Sequence, residues 1–161
     1  MHNFAQRLLS TIDEEERRLR AIPESSAAIC APPGSAWTRK QELGHLIDSA
    51  TNNRVRFISA ALEGEYAGPS YDGEGWVALG GYDETPWNAL IDLWQTLNRQ
   101  LALVLDRIPS ERLPAPCRIA DAPPVTLEFL IDDYILHMQR HLDHILRREH
   151  ITEYPGAAIG V

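Results

Sequence analysis

Three of the six histidines in this 161-residue chain lie within one short stretch, LHMQRHLDHI at residues 136–145. His137, His141 and His144 are separated by four and three residues, spacings that bring side chains to one face of a helix. Two imidazoles four residues apart can bind one metal ion at about 2.1 Å each. The spacing therefore predicts a metal clamp formed by His137 and His141, with an ordinary polar or hydrogen-bonded helix face as the alternative.

A third ligand has to come from another helix. The clamp is not that of a zinc protease, because Met138 stands where the HExxH motif places its general base. His45 is the candidate, since it lies among apolar residues of a helical segment. It lies about 12 Å from the start of its helix, and His141 lies about 12 Å from the end of its own, so antiparallel packing would bring the rings level. His144 is one turn further out, so it could bind the metal or could equally lie beside the ligands or in solvent.

Carboxylates lie one helical turn from two of the candidate ligands. Asp48 follows His45, and Asp133 precedes His137. Each could hydrogen-bond a ligand imidazole or a metal-bound water, or be an ordinary surface carboxylate. Glu42 and His45 also form an ExxH motif, but a di-iron site needs a second such motif, and no glutamate lies three residues before the other histidines. A di-iron or ferritin-like role is therefore not expected.

Four amphipathic helices have to position these residues. Apolar stripes, caps and breakers predict helices at about residues 3–21, 37–64, 85–108 and 126–149, and no segment alternates well enough to predict a strand. Ser35 or Thr38, Thr85 and Thr126 are the predicted N-caps. The pattern predicts an all-α fold, a four-helix bundle in one domain covering residues 1–161.

The connection at residues 65–83 is long enough to determine the topology of this bundle. It could span roughly 60 Å when extended, whereas the second helix is about 40 Å long, so the second and third helices could run parallel. Its aromatic residues Tyr71, Trp76 and Tyr82 could wall one end of the bundle or could only pack it.

Charge and composition exclude several classes of function. The formal net charge of −8 repels phosphate backbones, so nucleic acid is not an expected partner. The absence of a long apolar run and of a signal-like N-terminus predicts a cytoplasmic protein that does not span a membrane. Two cysteines without CxxC spacing give no support to a disulfide framework or a thiolate metal site. His2 and His150, near the ends, are expected to be solvent-exposed.

Three blocks of the sequence resemble the DinB superfamily, and within it the YfiT-like group (DinB_2). The blocks are WTRKQELGHLIDSATNNRVRFISAAL, YDGEGWVALGGYDETPWNALIDLW and VTLEFLIDDYILHMQRHLDHI. The resemblance implies an up-down-down-up bundle, commonly dimeric, that holds zinc or nickel through one histidine of the second helix and two of the fourth. By position these ligands are His45, His137 and His141, while His144 stands where the family often has glutamine.

The resemblance also implies a thiol S-transferase of detoxification or stress response. Such an enzyme uses a low-molecular-weight thiol, such as bacillithiol, mycothiol or glutathione, to attack an electrophilic substrate. Three neutral imidazoles leave the cation its full charge, which suits a bound thiolate or lowers the pKa of a bound water towards 7. Asp48 is then the catalytic residue that accepts the thiol proton or positions the complex. The alternatives are a hydrolase that uses metal-bound hydroxide and a metal-binding stress protein without turnover. The expected partners are the thiol, the electrophile and a second copy in a homodimer.

Overall fold

Four long helices form a bundle, and short elements fill the connections between them. The structure is a computed structural model that describes residues 3–32, 34–149 and 151–154, so His2 and His150 lie outside the described residues. The elements are α1 (Asn3–Arg20), α2 (Glu24–Ala27), α3 (Arg39–Glu63), β1 (Tyr66–Gly68), α4 (Gly73–Leu79), α5 (Trp87–Arg107), β2 (Pro116–Ile119), β3 (Val125–Thr126) and α6 (Leu127–Ile145), with 3-10 turns at Tyr82–Glu84 and Ser110–Arg112. The predicted four-helix bundle is confirmed.

The two helices that carry the candidate ligands begin at side-chain caps that the sequence predicts. Thr38 and Gln41 form a capping box at the start of α3, in which each side chain accepts a hydrogen bond from the other residue's backbone N–H. Gly64 ends α3 in the left-handed conformation at φ 83°. The Thr126 hydroxyl accepts from the backbone N–H of Phe129 at 3.1 Å and caps α6.

Two predicted helix boundaries are wrong. The N-cap of α5 is Pro86 and not Thr85, because the Thr85 hydroxyl donates to the Gly81 carbonyl at 3.1 Å. The fourth long helix ends at Ile145 rather than near residue 149, because Arg147 adopts the left-handed conformation at φ 52° and turns the chain.

A small sheet corrects the expectation that the chain has no strands. Its strand order is β1-β2-β3, with β2 parallel to β1 and antiparallel to β3. Cys117 pairs with Tyr66 on one side and Val125 on the other. These strands have two to four residues, too few for an alternating pattern to be visible in the sequence. Cys117 is buried there, and burial raises the pKa of its thiol to about 11.

Ion pairs between α1 and α5 show that these helices run antiparallel. Arg20, at the end of α1, contacts Asp92 near the start of α5 at 2.5 Å. Asp13, earlier in α1, contacts Arg99, further along α5, at 2.6 Å. The order of the partners reverses between the two helices, as antiparallel packing requires.

The remaining contacts define an up-down-down-up topology. Arg7 pairs with Asp132 at 2.6 Å, which places the start of α1 beside the start of α6 and makes these helices parallel. The Thr38 hydroxyl donates to Asp83 at 2.7 Å, so the connection after α3 returns along that helix and α5 runs parallel to it. The predicted return of residues 65–83 along the bundle is therefore confirmed.

The core of the bundle is apolar and lies between all four long helices. Trp87, Trp94 and Phe57 are almost completely buried. Tyr134 donates to the Asn98 side chain at 2.5 Å within this core, so its hydroxyl does not lose a partner on burial. No helix among the described residues is both long and apolar enough to cross a membrane.

Candidate metal centre

The structure brings three imidazoles together between α3 and α6. His45 lies in the second turn of α3, while His137 and His141 lie in the second half of α6. Because α3 and α6 are antiparallel, these positions are level. The Nε2 atoms of His45 and His137 are 3.2 Å apart, and one ring nitrogen from each of the three residues lies within 4.8 Å of the other two.

This spacing fits a common cation. Two nitrogens that each lie about 2.1 Å from one ion are separated by about 3.0 Å at a right angle and about 3.4 Å at the tetrahedral angle. The 3.2 Å between His45 and His137 lies between these values. The donor set is three neutral nitrogens, which suits zinc or nickel better than calcium or magnesium. The residues therefore fit a divalent transition-metal ion.

Burial keeps two of the rings neutral. Burial, together with the nearby His141, lowers the pKa of His45 to about 3. Burial and then the neighbouring histidines lower the pKa of His137 well below its usual value. The Nδ1 atoms of both rings have no hydrogen-bond partner among the residues that the structure describes. Neutral imidazole is the form that binds a metal, so the environment favours ligation at neutral pH.

Glu42 is a functional candidate that the sequence interpretation did not assign. Its carboxylate accepts a hydrogen bond from Nδ1 of His141 at 2.5 Å, which leaves Nε2 of that ring for a cation. The other carboxylate oxygen lies 3.8 Å from Nδ1 of His144. Glu42, His141 and His144 also form a second group whose ligand atoms lie within 4.8 Å of one another. The ExxH motif singled out Glu42, but only the packing of α6 shows which histidine it meets.

The Asp48 carboxylate bonds the returning connection. One carboxylate oxygen accepts from the Tyr82 hydroxyl at 2.5 Å, and the other is buried without a hydrogen-bond partner in the described ranges. Burial raises the pKa of Asp48, and the bond from Tyr82 opposes this shift. Asp48 is not a member of either histidine group found among the described residues.

Tyr82 packs against α3 as well as binding Asp48. A Cβ added at Gly44 would lie 2.1 Å from the Tyr82 ring, so this approach depends on the missing side chain. Burial is the largest cause that raises the pKa of Tyr82. Tyr82 is therefore a buried packing residue that positions Asp48, and it does not line an open wall of the site.

Asp133 is buried beside the C-terminal segment, which excludes the interpretation that it is a surface carboxylate. Burial raises its pKa to about 6, and the Tyr154 hydroxyl partly offsets this effect. The Tyr154 ring lies 5.8 Å from the His137 ring, centroid to centroid. The Trp37 ring lies 5.1 Å from the ring of His45. Aromatic side chains therefore contact two of the three imidazoles.

Comparison with known proteins identifies the fold and the family. No curated protein matches the chain. YfiT from Bacillus subtilis, described as a probable metal-dependent hydrolase with an unusual four-helix bundle topology, has a similar solved structure. The TM-score is 0.78 and the identity 22%, over 89% of this chain and 82% of that one, a likeness that shows the fold. The sequence model of the DinB superfamily matches residues 5–145. The chain therefore belongs to the DinB superfamily.

Proposed function

We propose that this protein is a divalent-metal-dependent enzyme in which His45, His137 and His141 hold the metal. The observation that carries the proposal is the convergence of three imidazoles from two antiparallel helices, two of them kept neutral by burial. A catalytic metal site typically combines three protein ligands with a position for water or substrate. The description of YfiT as a probable metal-dependent hydrolase agrees with this class of function.

The first candidate reaction is transfer of a low-molecular-weight thiol to an electrophile. A zinc or nickel ion supplies the positive charge that stabilises a thiolate at neutral pH. Glu42 holds the His141 ring in place through the Nδ1 hydrogen bond. Asp48, with a raised pKa and one carboxylate oxygen free of hydrogen bonds to described residues, is the candidate acceptor for the thiol proton.

The second candidate reaction is hydrolysis of an ester or amide, and the description of YfiT favours it. The same three imidazoles and the same carboxylate would serve, with water in place of the thiol as the nucleophile. Asp48 would then accept the proton of the attacking water. The two candidates differ in the nucleophile and in the substrate, so separate assays of thiol transfer and of ester cleavage distinguish them.

An assay with one electrophile and one ester tests both candidates. Protein loaded with zinc or nickel is mixed with 1-chloro-2,4-dinitrobenzene and a panel of glutathione, bacillithiol and mycothiol, and separately with 4-nitrophenyl acetate without thiol. Metal-dependent consumption of the first compound supports transfer, and metal-dependent cleavage of the second supports hydrolysis. The His45→Ala protein is the control. Rates that equal this control in every mixture would contradict an enzymatic role and favour a metal-binding protein without turnover.

We further propose a homodimer. Among the described residues, α5 exposes 46% of Leu93 and 49% of Leu103, apolar surface that a partner could cover. Light scattering at micromolar concentration should give twice the 18.1 kDa chain mass. A single species near the chain mass would contradict the dimer.

A further inference from the structure

The chain turns after α6 and runs back along that helix. Arg147 adopts the left-handed conformation at φ 52°, which reverses the chain. The backbone N–H of Thr152 then donates to the Asp143 side chain at 2.9 Å, and the ring of Tyr154 lies 5.8 Å from the ring of His137. The partners on α6 follow in reverse order, so residues 151–154 run antiparallel to the second half of the helix. The match of the DinB superfamily model ends at residue 145, so this segment lies outside it.

Buried ion pairs hold the turn in place. Arg148 contacts the Asp143 carboxylate at 2.7 Å and the Glu15 carboxylate of α1 at 2.8 Å. Asp143 and Glu15 are both buried, and removing one partner of a buried ion pair is strongly destabilising. The turn that brings Tyr154 beside His137 is therefore held by both α1 and α6.

Three buried polar atoms belong to the residues where this segment contacts α6. Oδ2 of Asp133, Nδ1 of His137 and the Tyr154 hydroxyl each have no hydrogen-bond partner in the described part of the chain. Asp133 and His137 are one helical turn apart, and helical side chains lean towards the N-terminus of their helix, so the His137 ring leans towards Asp133. Buried polar groups cost free energy unless they are hydrogen-bonded. Three such atoms on neighbouring residues can satisfy one another.

Tyr154 and Asp133 are close enough to influence each other's ionisation. Burial raises the pKa of Tyr154, and the Asp133 carboxylate raises it further. Burial raises the pKa of Asp133 to about 6, and the Tyr154 hydroxyl lowers it. The two oxygens of a carboxylate can accept several hydrogen bonds, so Asp133 can accept one from Tyr154 and one from His137.

The orientation of the His137 ring leaves its Nδ1 atom for such a bond. Nε2 lies 3.2 Å from Nε2 of His45, so Nε2 is the nitrogen placed to bind the metal and Nδ1 is the nitrogen that carries the proton. A histidine that binds a metal almost always donates its other N–H to a carboxylate, a carbonyl or water. Glu42 accepts this bond from His141. Asp133 is the corresponding carboxylate for His137.

We propose that Tyr154 is a positioning residue of the metal centre. Its hydroxyl donates to the Asp133 carboxylate, and Asp133 accepts the Nδ1–H of His137 while Nε2 of that ring holds the metal. The inference rests on the proposed function, because it requires His137 to be a ligand. It gives a segment outside the family match a part in the site, and it concerns metal binding rather than turnover.

A double-mutant cycle on zinc affinity tests whether Tyr154 acts through Asp133. Chelator competition should show zinc affinity about tenfold lower in Asp133→Ala, which loses the acceptor for His137, and about fivefold lower in Tyr154→Phe, which loses one hydrogen bond. In the Asp133→Ala background, Tyr154→Phe should change nothing further, because its partner is already absent. Effects that multiply in the double variant overturn the inference. Circular dichroism checks that each variant is folded.

A nuclear magnetic resonance measurement on the Tyr154→Phe protein tests the inference without the Asp133 variant. In the zinc-loaded, ¹⁵N-labelled wild type we expect the Nδ1–H of His137 to give a downfield, slowly exchanging resonance. Tyr154→Phe should shift this resonance and speed its exchange with solvent. Ile151→Ala is the matched control, because this residue lies in the same segment and is 70% exposed, so both the resonance and the zinc affinity should stay unchanged.

The outcomes separate this inference from the metal-centre proposal. An unchanged His137 resonance and unchanged zinc affinity in Tyr154→Phe overturn the inference, and so do equal losses in Tyr154→Phe and Ile151→Ala. If His137→Ala still loses its zinc in either case, the metal-centre proposal stands. A wild type that binds no zinc and no nickel refutes both.

Discussion

Replacing His45, His137 or His141 by alanine is expected to weaken binding of zinc or nickel on the order of a hundredfold or more. Each substitution removes one of only three protein ligands, and so discards a large share of the binding free energy. Activity that depends on the metal should fall to the level of the metal-free protein. Elemental analysis of the purified variants, together with a competition titration against a chelator, measures the change.

The helical fold should survive these substitutions. The core contains Trp87, Trp94 and Phe57, which are almost completely buried, and the helices have their own caps and ion pairs. A zinc finger, by contrast, has too small a core to fold without metal. Circular dichroism should therefore remain helical in all three variants.

His144→Ala is the matched control on the same helix. Its ring lies 5.5 Å from the ring of His141, and it is not a member of the three-histidine group. This variant should keep its metal. Full metal occupancy in the His45→Ala and His141→Ala proteins, or none in the wild type after expression with zinc and nickel, would refute the proposed site.

Local signals in the sequence were sufficient to predict the long helices. The apolar stripe between Thr38 and Gly64 has a capping threonine at one end and a glycine at the other, and both have the predicted roles. The sheet could not be predicted in this way, because Cys117 pairs with residues about fifty positions earlier and eight later. Thr85 was predicted to cap a helix, but its hydroxyl donates to the nearby Gly81 carbonyl, and the spacing of residues alone does not show this.

The candidate site could be predicted only as far as helix geometry allows. Distances along two antiparallel helices were enough to place His45 level with His141. The spacing of residues along the sequence does not show which residue each carboxylate bonds. Asp48 lies one turn from His45 in the sequence but bonds Tyr82, which the long connection brings back along α3. Glu42 meets His141, ninety-nine residues away, because side-chain direction and helix packing decide which neighbours touch.

The second large effect is expected from Glu42. Glu42→Ala removes the hydrogen bond that holds Nδ1 of His141 and should lower metal affinity by about 10- to 100-fold, the usual effect of losing such a partner. The metal affinity of Glu42→Gln should lie between those of Glu42→Ala and the wild type, because the amide oxygen still accepts the bond but carries no charge. The same chelator competition measures both variants.

Asp48→Asn is the comparison that separates metal binding from chemistry. It should bind metal like the wild type, since Tyr82 can still donate to the amide oxygen, while turnover falls about a hundredfold if Asp48 accepts the proton.

Metal affinity in Glu42→Ala equal to that of the wild type would contradict the orienting role of Glu42. If instead Glu42→Ala and His144→Ala both lose the metal as completely as His141→Ala, while His45→Ala retains it, the ion is held by Glu42, His141 and His144. The three-histidine assignment would then be wrong, because these two groups share only His141.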